Sequence, residues 1–125
     1  MISNETRRTD PLSNHNAPRP RSYADALALL GTRDHRKIGH NTTLERFPDG
    51  TLGVRFHATV VVRFHADGTM TLDARGYRTS TTKERMNRYL PEGWRIYQKA
   101  GTWRISGPHG GSENYRDGCT LRAHA

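Results

Sequence analysis

The chain is poor in the features that most often declare a function. It has one cysteine, Cys119, among 125 residues, which excludes an intramolecular disulfide framework and any multi-cysteine zinc site. No apolar run approaches the roughly 20 residues that span a bilayer, and the N-terminus has no apolar core of a secretory signal. The expectation is a protein of the reducing cytoplasm with no membrane partner. Phosphate-loop, dinucleotide and zinc-protease patterns (G-x-x-x-x-G-K, G-x-G-x-x-G, H-E-x-x-H) are all missing, so no cofactor and no metal is expected. Carboxylates are also scarce: 12 Asp and Glu face 20 Lys and Arg, a formal charge of +8. Such a surplus favours association with nucleic acid, anionic lipid or an acidic protein and says nothing of the fold.

What is present fits one small domain. Residues 1–21 carry Pro11, Pro18 and Pro20, several Asn and Arg, and almost no large apolar side chain, which predicts a flexible basic arm. Residues 22–106 hold most of the apolar material and are expected to form the compact body. From 107 to 125 the sequence reads as a Gly-rich hinge and tail, with a short strand over 115–121 as an option. Within the body, Ser22 to Gly31 reads as a helix capped by Ser22 and stopped by Gly31, with Tyr23, Ala26, Leu27 and Leu30 on one face. Extended segments follow at 42–47, 52–58, 59–65 and 69–73, punctuated by the Asp49-Gly50 and Asp67-Gly68 turns. A second helix is expected near Thr79–Pro91, with Thr81 and Glu84 as a capping box, Met86, Tyr89 and Leu90 inward, and Lys83, Arg85 and Arg88 toward solvent. A last hairpin alternates Trp94, Ile96, Trp103 and Ile105 inward. The fold class is α+β, a single small domain with a mostly antiparallel β-meander and two short helices.

The sequence VRFHA occurs twice, at 54–58 and 62–66. On one continuous strand the even spacing would place both copies alike, with Val and Phe inward and Arg55, His57, Val61, Arg63 and His65 outward. The two histidines would then lie roughly 26 Å apart, too far to share a metal. His40-Asn41-Thr42 and His57-Ala58-Thr59 also match H-x-T, the pattern of two-histidine phosphoesterases, in which paired imidazoles act as acid and base and the hydroxyls hold phosphoryl oxygens. His40, His57, Thr42 and Thr59 are therefore the weak catalytic candidates. The simpler reading, in a chain with seven histidines, is solvated strand residues. Asp49 and Asp67 are explained by turns, and Cys119 has no neighbouring base to activate it.

A binding role draws on more residues. Arg95, Tyr97 and Lys99 lie opposite the apolar face of the last hairpin, with Arg104 beside them, and the second helix adds Lys83, Arg85 and Arg88. Basic side chains interleaved with an aromatic suit a phosphate backbone bearing stackable bases, and the arm adds Arg7, Arg8, Arg19 and Arg21. The run from Lys37 to Trp103, with V-R-x-H-x-T in a strand, a G-[WY]-R-T corner at 76–79, T-T-K-x-R-x-N at 81–87 and a late Trp, resembles a family of small proteins encoded by tailed bacteriophages and prophages, often of actinobacteria. That resemblance implies a phage origin, the infected host cell as location and a single compact domain, and it carries over no activity. It directs attention to Arg55, His57, Thr59, Arg78, Thr81, Thr82, Lys83, Arg85 and Asn87 as ligand-binding candidates beside Arg95, Tyr97 and Lys99. The resembling sequences commonly have Asn in place of His40, which weakens the two-histidine reading. Three functions remain open: an accessory protein binding DNA, RNA or another phosphate-bearing ligand, a module that blocks or redirects a host or phage protein or a defence factor, and a small phosphodiesterase.

Overall fold

A computed structural model describes residues 18–122. Two helices and nine strands follow in order: α1 (Tyr23–Leu30), β1 (His35–Gly39), β2 (Thr42–Arg46), β3 (Leu52–Phe56), β4 (Thr59–Phe64), β5 (Thr69–Leu72), α2 (Ser80–Arg88), β6 (Arg95–Lys99), β7 (Thr102–Ser106), β8 (Ser112–Asn114) and β9 (Cys119–Arg122). The order β9-β5-β4-β3-β2-β1 makes a six-stranded sheet, and β6-β7-β8 a smaller one. All pairings are antiparallel. The α+β meander is therefore the architecture of the protein.

The two Asp-Gly turns share one mechanism. Asp49 Oδ1 accepts from the Thr51 amide at 2.9 Å and its hydroxyl at 2.7 Å, and Asp67 does the same for Thr69 at 2.9 and 2.7 Å. Gly50 and Gly68 supply the left-handed step, at φ 90° and 92°, which costs glycine little. The threonine bonds hold both carboxyls below the ordinary aspartate range.

The VRFHA segment is not one strand. The chain reverses at His57-Ala58, so that Phe56 faces Thr59 across the β3–β4 hairpin. His57 adopts φ 55°, and its amide donates to the Asn41 carbonyl at 2.9 Å. A bulge then inserts Val61 between the Val54–Val62 and Arg55–Val60 pairs. This extra residue shifts the alternation, burying Val61 beside Val62 and leaving Val60 half-exposed, whereas unbroken alternation puts Val61 outside.

α1 is capped by Ser22, whose hydroxyl accepts from the Asp25 amide. Ala26 and Leu30 face the core with Tyr23 and Leu29 partly buried against it, while Leu27 is 39% exposed. Arg46 donates to the Gly31 and Arg33 carbonyls and Arg36 to the Leu29 carbonyl, satisfying the C-terminal end of α1 with positive charge.

α2 begins two residues earlier than the T-x-x-E pattern predicts. Its cap is Thr79, extended at φ −97° and ψ 160°, with its hydroxyl oxygen accepting from the Thr82 amide at 3.1 Å. The helix packs on both β4 and β6, so its sides are covered by two sheets. Arg85 and Arg88, expected in solvent, are consequently only 8% and 9% exposed.

The core also extends past 106. Tyr115 and Leu121 are buried with the rest, and β9 pairs along β5 from Cys119↔Leu72 to Arg122↔Thr69. Where the sequence suggests a hinge, Gly107–Gly111 closes the β7–β8 turn, and the terminal strand covers 119–122 instead of 115–121. Gly107 packs close against Trp94: a Cβ there would stand 3.0 Å from the ring, which would have to shift by a few tenths of an ångström. At the other end, Pro20 is buried and Arg19 donates to the Arg88 carbonyl at 2.7 Å. Residues 18–21 of the expected arm thus lie on the body, and Arg7 and Arg8 fall outside the described residues.

Candidate functional site

Many of the basic side chains are engaged inside the fold. Arg55 forms a two-pronged pair with Glu45, at 2.7 and 3.0 Å, and the carboxylate raises its pKa. Arg63 lies over the Phe47 ring and donates to Thr51. Arg78 sits 3.7 Å from Asp117 and over the Tyr115 and Trp103 rings at 4.9 and 5.3 Å. Arg104 is tied to Ser112 and Asn114. Asn87 clasps the Ile96 backbone, donating to its carbonyl and accepting from its amide, both at 2.7 Å. Four of the expected contributors to a ligand face, Arg55, Arg78, Asn87 and Arg104, therefore hold the protein together.

Among the described residues, two concave regions border α2, one on each flank. The larger is a groove of about 650 Å³ between α2 and β6, lined by Arg19, Ser80, Lys83, Glu84, Asn87, Arg88, Arg95, Ile96, Tyr97 and Gln98. Four cations face one carboxylate. Burial, followed by the charges of Arg21 and Arg88, lowers the Arg19 pKa, a sign that the guanidiniums crowd one another. Lys83 reaches Gln98 at 3.4 Å, and Arg95 is exposed at the groove edge. The Tyr97 hydroxyl meets Ser112 at 2.5 Å, and bonds from Ser112 and Arg104 draw its pKa down. Its ring is thereby fixed in the wall. Lys99, at the end of β6, is exposed and outside the groove lining.

The smaller region is a cleft of about 400 Å³ formed by Phe56, His57, Ala58, Thr59, Tyr77, Thr79, Thr81 and Thr82. The His57 turn contributes one wall and the first turn of α2 the other. The His57 ring tilts on Phe56 at 4.4 Å, and Tyr77 is 63% exposed. Arg85 stacks on the Phe56 ring at 4.9 Å. Glu84 lies 3.9 Å from Arg85 Nε, which has no hydrogen-bond acceptor among the described residues.

The histidine candidates are brought to one end of the sheet, since the turns at 40–41 and 57–58 adjoin through the His57–Asn41 bond. Their threonines are not equivalent. Thr42 is buried and donates its hydroxyl to the His40 carbonyl at 2.7 Å, which removes it from any phosphoryl contact, whereas Thr59 lines the cleft. His65 is turned to Thr71 at 2.8 Å. Among the described residues no cluster of His, Cys, Asp and Glu is arranged to hold a metal ion, and no helix is long and apolar enough to cross a membrane. Burial pushes the Cys119 thiol pKa up, the opposite of a reactive thiolate.

The sequence candidates thus divide: His57, Thr59, Thr81 and Thr82 meet in the cleft, and Lys83, Asn87, Arg95 and Tyr97 in the groove. Tyr77 and Thr79 complete the cleft and were absent from the candidate set, although they belong to the G-[WY]-R-T corner. Arg19 and Arg88 join the groove because the chain before α1 folds back on the end of α2.

Two short helices on two antiparallel sheets, with a cationic groove and a hydroxyl-rich cleft on either side of one helix, define a small α+β protein with surface sites. The chain belongs to the Kyanoviridae Gp96 protein family, whose family model matches residues 22–122. This makes it a phage-encoded protein. No curated protein matches it, and no solved structure does.

Proposed function

We propose that this phage protein is a non-enzymatic accessory factor that binds nucleic acid through the groove between α2 and β6. The supporting observation is the convergence of Arg19, Lys83, Arg88 and Arg95 on one concave surface that holds a single carboxylate, Glu84. Phosphates neutralise such crowded cations and release counterions, so binding of this kind is strongest at low salt. Tyr97, held by Ser112 and flanked by these charges, offers a rigid ring to a base or sugar.

Fluorescence anisotropy with labelled single-stranded and duplex oligonucleotides at several salt concentrations tests this reading. The expected result is binding that weakens with salt. Lys83→Ala and Arg95→Ala should each lower the salt slope by about one. Absence of binding to ssDNA, dsDNA and RNA at low salt overturns it. Nuclease-insensitive, stoichiometric recovery of one host protein from infected cells would then identify a protein-interaction module instead.

A further inference from the structure

We propose that the cleft at the His57 turn is a base pocket. It takes an unpaired nucleobase of a single-stranded nucleic acid whose phosphates lie in the groove, an assignment that rests on the nucleic-acid reading of that groove. The first turn of α2 joins the two regions, since Ser80 lines the groove while its neighbours Thr79 and Thr81 line the cleft. A strand following the cationic groove past this turn would reach the cleft within the span of adjacent residues.

The lining chemistry selects the occupant. No Lys or Arg lines the cleft, so it is unsuited to the phosphate itself and suited to a planar, uncharged group with polar edges. Its volume of about 400 Å³ is at the small end of ligand sites, which run to roughly 300–1,000 Å³. Aromatic surface comes from Phe56, His57 and Tyr77. The Tyr77 ring is 63% exposed, an arrangement that favours stacking with a π-face of any base. The Arg85 guanidinium lies over the Phe56 ring, 4.9 Å from its centroid.

Polar edges are available where a base would need them. Thr79 accepts from the Thr82 amide and its hydroxyl bonds that of Thr82, and the Lys83 amide bonds the Thr79 carbonyl. The Thr81 amide belongs to the first turn, whose donors lie outside the helix's own bonding, and the Thr59 and Thr81 residues stand in the cleft lining. A base paired in a duplex presents neither its face nor its pairing edge, so occupation of this pocket requires a single strand.

The test compares a short single strand with the same strand carrying abasic sites throughout, in DNA and RNA arms, by anisotropy with the full chain at low salt. Removal of the bases should weaken binding about tenfold, and Tyr77→Ala should cause the same loss on the base-bearing strand and none on the abasic one. Lys83→Ala should weaken both strands alike. Tyr77 is largely exposed, and circular dichroism of the variant verifies that it folds. Equal affinity of the wild type for abasic and base-bearing strands overturns the pocket while leaving the groove reading in place. Failure of both strands to bind overturns the groove reading and the pocket with it.

Discussion

His57 occupies a left-handed backbone position, φ 55°, where a side chain with a Cβ costs about 1 kcal/mol relative to glycine. The same position puts its ring on Phe56 and in the cleft wall, so a strained residue stands where a site is being shaped. His57→Gly should therefore raise stability in urea denaturation by about 0.5–1 kcal/mol, while His57→Ala, which keeps the strain, should give no gain. A loss of stability on His57→Gly would mean that ring packing on Phe56 outweighs the backbone term. The sequence marks the turn only by length, since residues 51–65 outrun an ordinary strand and divide near Ala58–Thr59, and it gives no turn residues there for a related reason. Between Thr51 and His65 only Gly53 has turn character, and Gly53 lies inside β3, where a Cβ would come within 2.7 Å of the Phe47 ring. Reversal is carried by His57-Ala58, a pair with no turn signature, and the VRFHA echo disguises it as a continuing strand. Once the chain turns there, the two copies belong to different environments: His57 is a wall of the cleft, and His65 bonds Thr71.

At the level of elements, α2 determines where both candidate sites lie, and its attachment depends on Asn87. Both side-chain bonds of Asn87 go to the Ile96 backbone, joining the helix to β6 across the floor of the groove. Asn87→Ala leaves a half-buried amide and carbonyl without partners, which should cost about 2–3 kcal/mol in chemical denaturation. Weaker oligonucleotide binding by this variant is then expected to track its stability, and unchanged stability with lost binding would show instead that Asn87 contacts the ligand. The location of this helix was legible from its Thr-rich start and from Pro91. Its register was not, because four consecutive hydroxyl residues, Thr79 to Thr82, all qualify as caps, and the choice of Thr79 follows from its extended backbone at the end of the preceding loop. Nor could its buried face be read from period alone. A second sheet covers what one-sided packing leaves wet, and Arg85 and Arg88 are enclosed as a result.

Across the whole molecule, the C-terminal segment closes the structure through Asp117. Its carboxylate accepts from the Ala74 amide at 3.0 Å, the Gly76 amide at 3.0 Å and the Tyr115 hydroxyl at 2.9 Å, with Arg78 at 3.7 Å. This clasp fastens the loop before α2 to the link between β8 and β9, and so positions the corner that carries Tyr77. It could not be foreseen from a sequence whose Gly-rich 107–111 stretch resembles the end of a domain and whose Asp117 lies beyond it. Burial pulls the Asp117 pKa upward, but the Ala74, Tyr115 and Gly76 bonds and the Arg78 charge together hold it below the ordinary value of 3.8. Burial and the bond to Asp117 push the Tyr115 hydroxyl the other way, to a raised pKa. Because the unfolded chain binds the Asp117 proton more tightly, the stabilisation is complete above the unfolded pKa and is lost as pH falls through the lower folded one. Asp49 and Asp67, also depressed, add to the same acid limb, so the difference between wild type and Asp117→Asn isolates the clasp. Urea midpoints measured from pH 7 down to pH 2 should show the variant less stable at neutral pH by roughly 1–3 kcal/mol, with the difference shrinking as pH falls through the depressed Asp117 pKa, below 3.8. Parallel curves over that range would mean that Asp117 titrates alike in both states and that the corner is held by Tyr115 and Arg78 without it.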